Sequence, residues 1–272
     1  MTQRILRWVM GARCGPPAFW RMLEPMQTNI HEIADGVYRL STCAPEVAPG
    51  GFTFNQYLID ADEPYLFHTG PRQMFDLVEP AMGQVLDPPR LRWISFGHVE
   101  SDECGAMNRW LEVAPAAQVT FNGLGCLVSL NDLADRPPVV ASDTEPLDIG
   151  GHSILTIPTP HVPHGWEAQV VYDDATGTLF CGDLLTQTGD GPALVHDVDV
   201  IGPALAAEDM FGATCLTAST ATTLRRLADL APRTLALMHG PAFVGDCART
   251  LRELADAYEA RFRATFEQDA AA

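Results

Sequence analysis

The run Gly97-His98-Val99-Glu100-Ser101-Asp102-Glu103-Cys104-Gly105 brings one imidazole and three carboxylates together directly after an apolar stretch, residues 91–96. His98, Glu100 and Asp102 fall at i, i+2 and i+4, so an extended strand end points all three to one side. An imidazole converging with carboxylates is a metal-ligand set. Taken alone, the run also fits an acidic surface loop. Three further positions weigh against that. An apolar segment, 153–157, leads into Pro158-Thr159-Pro160-His161 and then Val162-Pro163-His164-Gly165-Trp166. Leu179-Phe180-Cys181-Gly182-Asp183 sets an acid at a strand end, and Leu237-Met238-His239-Gly240 sets a histidine at another. A lone histidine or strand-end aspartate is ordinarily structural. In sequence order, these strand-end positions with metal-type side chains read together as a metal site.

The elements that must position them follow from the apolar pattern. Strands are expected at 37–40, 53–59, 65–67, 91–96 and 118–121, then at 153–157, 168–172, 178–181 and 234–237. Helices are expected at 73–85, with Pro80 as a kink, and at 105–113, 126–133, 222–230 and 250–266. Residues 184–215 read as a long loop covering the site. Strands and helices alternate in blocks, twice, which predicts an α+β fold of two packed sheets with helices outside, all in one domain. The expected boundaries are an N-terminal extension over 1–28, the folded domain over 29–267 and a tail over 268–272.

The order H-x-E-x-D, T-P-H, G-D and H-G resembles the metallo-β-lactamase superfamily over roughly residues 30–267. The resemblance implies an αββα sandwich with a two-metal site at the sheet edge. Zinc hydrolases of the superfamily carry H-x-H-x-D-H, whereas here Glu100 stands at the second histidine and Glu103 at the third. The middle glutamate is similar to the flavodiiron proteins and the small oxygen-binding di-iron proteins related to them. Flavodiiron proteins usually read H-x-E-x-D-H, so Glu103 departs from that branch too. Carried over residue by residue, the resemblance gives the first metal His98, Glu100 and His161, makes Asp183 the bridge, and gives the second metal Asp102 and His239. Glu103 is then a third ligand there or an acid behind the ligands. Three histidines beside up to four carboxylates form a hard donor set that disfavours zinc and stabilises ferric iron. Two iron ions (Fe2+/Fe3+) are therefore expected, with zinc or manganese as the alternatives.

The remaining histidines are read against the same frame. His68 sits where hydrolase relatives usually have aspartate. A histidine there can donate to a ligand carboxylate, which matches the exchange at Glu100; it also fits a plain buried histidine. His164 is expected behind the ligands or in the pocket wall, and His196 in the covering loop facing the pocket or solvent. The function expected is a non-haem di-iron protein that binds or reduces dioxygen, or another small molecule. It would act as a sensor with a signalling partner or as an oxidoreductase with an external electron donor, because the chain has no length for a flavodoxin module and no CxxC pairs. The alternatives are a metal-dependent hydrolase of lactones or thioesters, using a metal-activated hydroxide, and a silent metal-binding scaffold.

The chain has 272 residues and a net charge of −18, and all 17 of its basic side chains are arginine. That balance argues against a nucleic-acid partner and an anionic membrane surface. No apolar run reaches the ~18–20 residues of a membrane span. Residues 1–28 set Arg4, Arg7, Arg13 and Arg21 among Trp8, Val9, Met10, Phe19 and Trp20, which reads as a loosely packed extension or as a basic amphipathic patch. Seven irregularly spaced cysteines indicate no disulfide framework, so a reducing cytoplasm is expected. A homo-oligomer is also expected.

Overall fold

The computed structural model describes residues 26–271, with side chains to Thr265; residues 1–25 of the expected extension and the tail side chains lie outside it. Among the described residues, strands β1 (Thr28–Ala34), β2 (Val37–Ala44), β3 (Phe52–Ile59), β4 (Tyr65–Phe67), β5 (Trp93–Ser95), β6 (Gln118–Phe121) and β7 (Val139–Val140) form one sheet in that order. A second sheet runs β12-β14-β13-β11-β10-β9-β8, with β8 Leu147–Asp148, β9 Ser153–Pro158, β10 Gln169–Asp173, β11 Thr178–Phe180, β12 Leu194–His196, β13 Thr234–Ala236 and β14 Ala242–Val244.

Successive side chains of the central strands pack into different layers, as the two-residue period requires. Tyr57, Ile59, Tyr65, Phe67 and Trp93 meet Ile154, Val171, Phe180 and Ala236 between the sheets. Leu58, Leu66 and Ile94 point the other way, onto the helices Phe75–Met82 and Met107–Val113. Val170, Leu179 and Leu235 pack under the helices Thr220–Ala228 and Cys247–Ala271. Three apolar layers between four structural layers make the expected αββα sandwich. The central strands β4 and β11 are buried on both faces. β4 runs parallel to β5, and β11 parallel to β13, so the carboxyl ends within each pair open on one edge.

The expected helix at 73–85 is a turn, Arg72–Met74, followed by the helix Phe75–Met82, which accommodates Pro80. Residues 126–133 form a wide turn, Cys126–Leu130, and a short helical turn, Asn131–Leu133. The long loop expected at 184–215 contains β12 and the helix Ile201–Phe211. That helix buries only Ala204 and Ala207, so it has no apolar stripe to betray it, and it ends on Gly212 in the left-handed conformation (φ 61°). No described helix is long and apolar enough to cross a membrane, and the six described cysteines are free.

Candidate metal centre

β5 delivers Gly97-His98, β11 delivers Gly182-Asp183, and β13 delivers Met238-His239 to one edge of the sandwich. Backbone hydrogen bonds lock these strand-end loops together. Cys181 N–H donates to Ala236 O (2.9 Å), Met238 N–H to Gly182 O (3.0 Å), and Gln169 N–H to Gly97 O (2.7 Å). Glu100 lies in extended backbone (φ −132°, ψ 156°) and caps the helical turn Ser101–Cys104. The stretch is therefore not extended throughout, and the turn sends Asp102 and Glu103 in different directions.

His98 Nε2, His164 Nε2, Glu100 Oε2 and Asp183 Oδ2 converge. One ligand atom from each of these four residues lies within 4.8 Å of the others. His164 Nε2 is 2.9 Å from His98 Nε2, 3.2 Å from Glu100 Oε2 and 3.3 Å from Asp183 Oδ2. Beside this group, His239 Nε2 lies 3.3 Å from Asp102 Oδ2 and 3.3 Å from Asp183 Oδ1. Asp183 thus turns one oxygen to each group. His239 donates from Nδ1 to Thr53 O (2.7 Å), which turns its Nε2 inward.

The structure does not bring His161 to this cluster. His161 is exposed, occupies the left-handed corner of the loop (φ 64°) and donates its N–H to Gly165 O (2.7 Å). The chain needs three more residues to reach the site, and the imidazole that arrives is His164. Glu103, expected as a third ligand or as an acid behind the ligands, is fully buried behind them. Its Oε2 accepts the N–H groups of Gly97 (2.6 Å) and His98 (2.7 Å), and its Oε1 lies 3.2 Å from His98 Nδ1. His68, expected either behind a ligand carboxylate or as a plain buried histidine, is buried, and the carboxylate it faces is that of Glu103, with Nε2 3.5 Å from Oε1. His196 is exposed at the end of β12 and does not line the pocket.

The electrostatics fit a cation. Burial opposes protonation of His98, yet Glu103 and Glu100 outweigh it and push its pKa up to about 12. His239, pulled by Asp102 and Asp183 against burial, rises to about 10. His164 is raised, chiefly by Glu100. Asp183 falls to about 2 although its burial alone would raise it, because His239 faces it. Two Nε2 atoms 2.9 Å apart cannot both carry a proton without repulsion, while the carboxylates pull both toward protonation. A cation among them would take one ligand atom from each of His98, Glu100, His164 and Asp183.

A cavity of about 470 Å³ opens over the cluster, lined by Glu100, Asp102, His164, Asp183 and His239. Phe52, Phe211, Glu208 and Tyr258 also line it. Phe52 stacks on the His239 ring (centroids 4.1 Å apart, planes at 29°). The members of the pocket wall lie far apart in the chain and carry no spacing signal. The pairing of His161 and His164 after one strand was the only cue to the nitrogen that enters the site.

The chain is similar to several known proteins. A diflavin flavoprotein A 1 of Synechocystis sp. is 27% identical over 153 residues, 55% of this chain and 26% of the relative. The flavo-diiron protein FprA2 of Clostridium acetobutylicum is 30% identical over 109 residues, 39% of this chain and 27% of the relative. The matches span about a quarter to two fifths of the curated relatives' length. Among solved structures, a metal-soaked Flv1 flavodiiron core from Synechocystis sp. superposes with a TM-score of 0.72 at 25% identity, covering 88% of this chain and 61% of that one. The family model described as ODP family beta lactamase matches residues 52–240, more than half of the chain, and the chain belongs to that family.

Proposed function

We propose that the protein is a non-haem di-iron protein that binds or reduces dioxygen, drawing electrons from a separate donor. The observation that carries this reading is Asp183, whose two oxygens face two different donor groups, 3.3 Å from His164 Nε2 and 3.3 Å from His239 Nε2. His98, Glu100, His164 and Asp183 would hold one metal, and Asp102, His239 and Asp183 the other. A pair of ferrous ions held there would supply reducing electrons and open coordination positions. The carboxylate-rich set favours iron over zinc. Thr53 O fixes the His239 ring through Nδ1, and Phe52 shields its face from water.

The test is an oxygen titration of anaerobically purified, iron-loaded protein. The expected result is about two irons per chain and a new near-ultraviolet or visible absorption band on adding O2. The reaction should stop after one turnover unless reductant is supplied. An optically silent titration of fully loaded protein, with turnover of lactones or thioesters by a dizinc form, would replace this reading with the hydrolase.

A further inference from the structure

We propose that Glu103 is a positioning residue that serves the first metal position through His98, and that the second position is left with three protein donors, Asp102, His239 and the shared Asp183. This rests on the two-metal reading above.

Glu103 follows Asp102 directly, but both lie on the turn Ser101–Cys104, where one step rotates the side chain by about 100°. Asp102 therefore lines the pocket while Glu103 is fully buried. One Glu103 oxygen is hydrogen-bonded twice, and the other, Oε1, has no conventional hydrogen-bond donor but is enclosed by His98 and His68. Oε2 takes the Gly97 and His98 N–H groups, and Oε1 faces His98 Nδ1 at 3.2 Å. A carboxylate at Nδ1 holds the proton there and leaves the Nε2 lone pair for the metal side.

The niche is shaped around that carboxylate. A Cβ at Gly97 would stand 2.9 Å from Glu103 Oε2 and 3.0 Å from Oε1, so only glycine admits so close an approach. His68 closes the back at 3.5 Å, held in the left-handed conformation (φ 65°) with Nδ1 3.3 Å from Asn55 O. Glu103 cannot swing to the second metal without leaving two backbone N–H donors unpaired in a buried place, which is unfavourable. The two positions are thus unequal: four protein donors for the first, three for the second. The second is the one left open toward the pocket for an external ligand.

Anaerobic titration of the full chain with Co(II), followed by its visible absorption and by calorimetry, tests this. The native chain should bind in two steps, a tight first and a weaker second. Asp102→Asn should remove the second step and keep the first. Glu103→Gln should weaken the first step ~10–100-fold, the usual scale for a group behind a ligand histidine, and change the spectrum of the first equivalent. In a His98→Ala background Glu103→Gln should add nothing, because residues acting through one partner are not additive. Gly97→Ala, which crowds the same carboxylate, should reproduce the Glu103→Gln spectrum. The proposal is overturned if Glu103→Gln removes the second step with the first intact, or if its effect adds fully to that of His98→Ala. Uptake of a single cobalt by the native chain would defeat the two-metal reading, and the cycle at that one step would still decide the role of Glu103.

Discussion

Asp183 Oδ1 lies 3.3 Å from His239 Nε2 and has no conventional hydrogen-bond donor, although it is buried. A buried carboxylate oxygen without a donor is costly in a protein interior. Here the arrangement is imposed by the loops, since Met238 N–H is bonded to Gly182 O and sets the aspartate beside the histidine. The other oxygen faces His164 at 3.3 Å, so one side chain links two donor groups.

Asp183→Asn should therefore lower occupancy at both positions together. Changes behind ligands cost ~10–100-fold in metal affinity, and loss of a shared ligand should cost at least that. Metal analysis after dialysis against a weak chelator reads the effect. Retention of two metals at native affinity would show that Asp183 does not bridge.

His164→Ala and His161→Ala should behave differently. His164 contributes its Nε2 to the converging group, while His161 is exposed on the loop corner. His164→Ala should release the first metal, and His161→Ala should leave metal content within twofold of native. Equal losses from the two variants would restore His161 as a ligand.

The difference between those two histidines marks what the sequence could and could not convey. The buried strands β4, β5, β11 and β13 are short apolar runs, and the polar residues just past them were legible because a strand end must stop at the sheet edge. Which of His161 and His164 turns inward depends on a left-handed corner, a backbone choice that residue types barely encode. The direction of Glu103 likewise depends on a helical turn beginning at Ser101, where the i, i+2, i+4 pattern suggested extended chain. The pocket-lining helix Ile201–Phe211 buries two alanines and so left no periodic trace. The sandwich itself was readable because the alternation of strand and helix blocks leaves few ways to bury both faces.

Metal affinity should rise with pH well beyond the range of an ordinary histidine. In the metal-free protein, carboxylates raise His98 to about 12 and His239 to about 10. These groups are protonated at neutral pH, and a metal must displace their protons, so binding releases protons and strengthens as pH rises. An unshifted imidazole, with a pKa of ~6.5, would stop contributing above about pH 7.5. Calorimetry in buffers of different ionisation enthalpy should show proton release still accompanying binding at about pH 8. A plateau in affinity and no proton release there would show that the imidazoles are not held charged.

Glu100→His should move the metal preference from iron toward zinc. Glu100 is about half exposed (53% of its side chain), so the larger ring can be accommodated at the pocket rim without repacking the core. Its Oε2 sits 2.7 Å from His98 Nε2 and 3.2 Å from His164 Nε2, within the converging group. The substitution replaces an anionic hard oxygen with a neutral, softer nitrogen. It raises the histidine count of that group to three and lowers its negative charge by one. Both changes favour zinc and weaken the hold on ferric iron. The iron-to-zinc ratio after growth under equal supply should fall, on the roughly tenfold scale of single changes around a metal. The ferric form of the variant should also be easier to reduce, because less negative charge opposes the added electron. An unchanged ratio with an unchanged reduction potential would remove Glu100 from the ligand set and leave His98, His164 and Asp183 to hold that position.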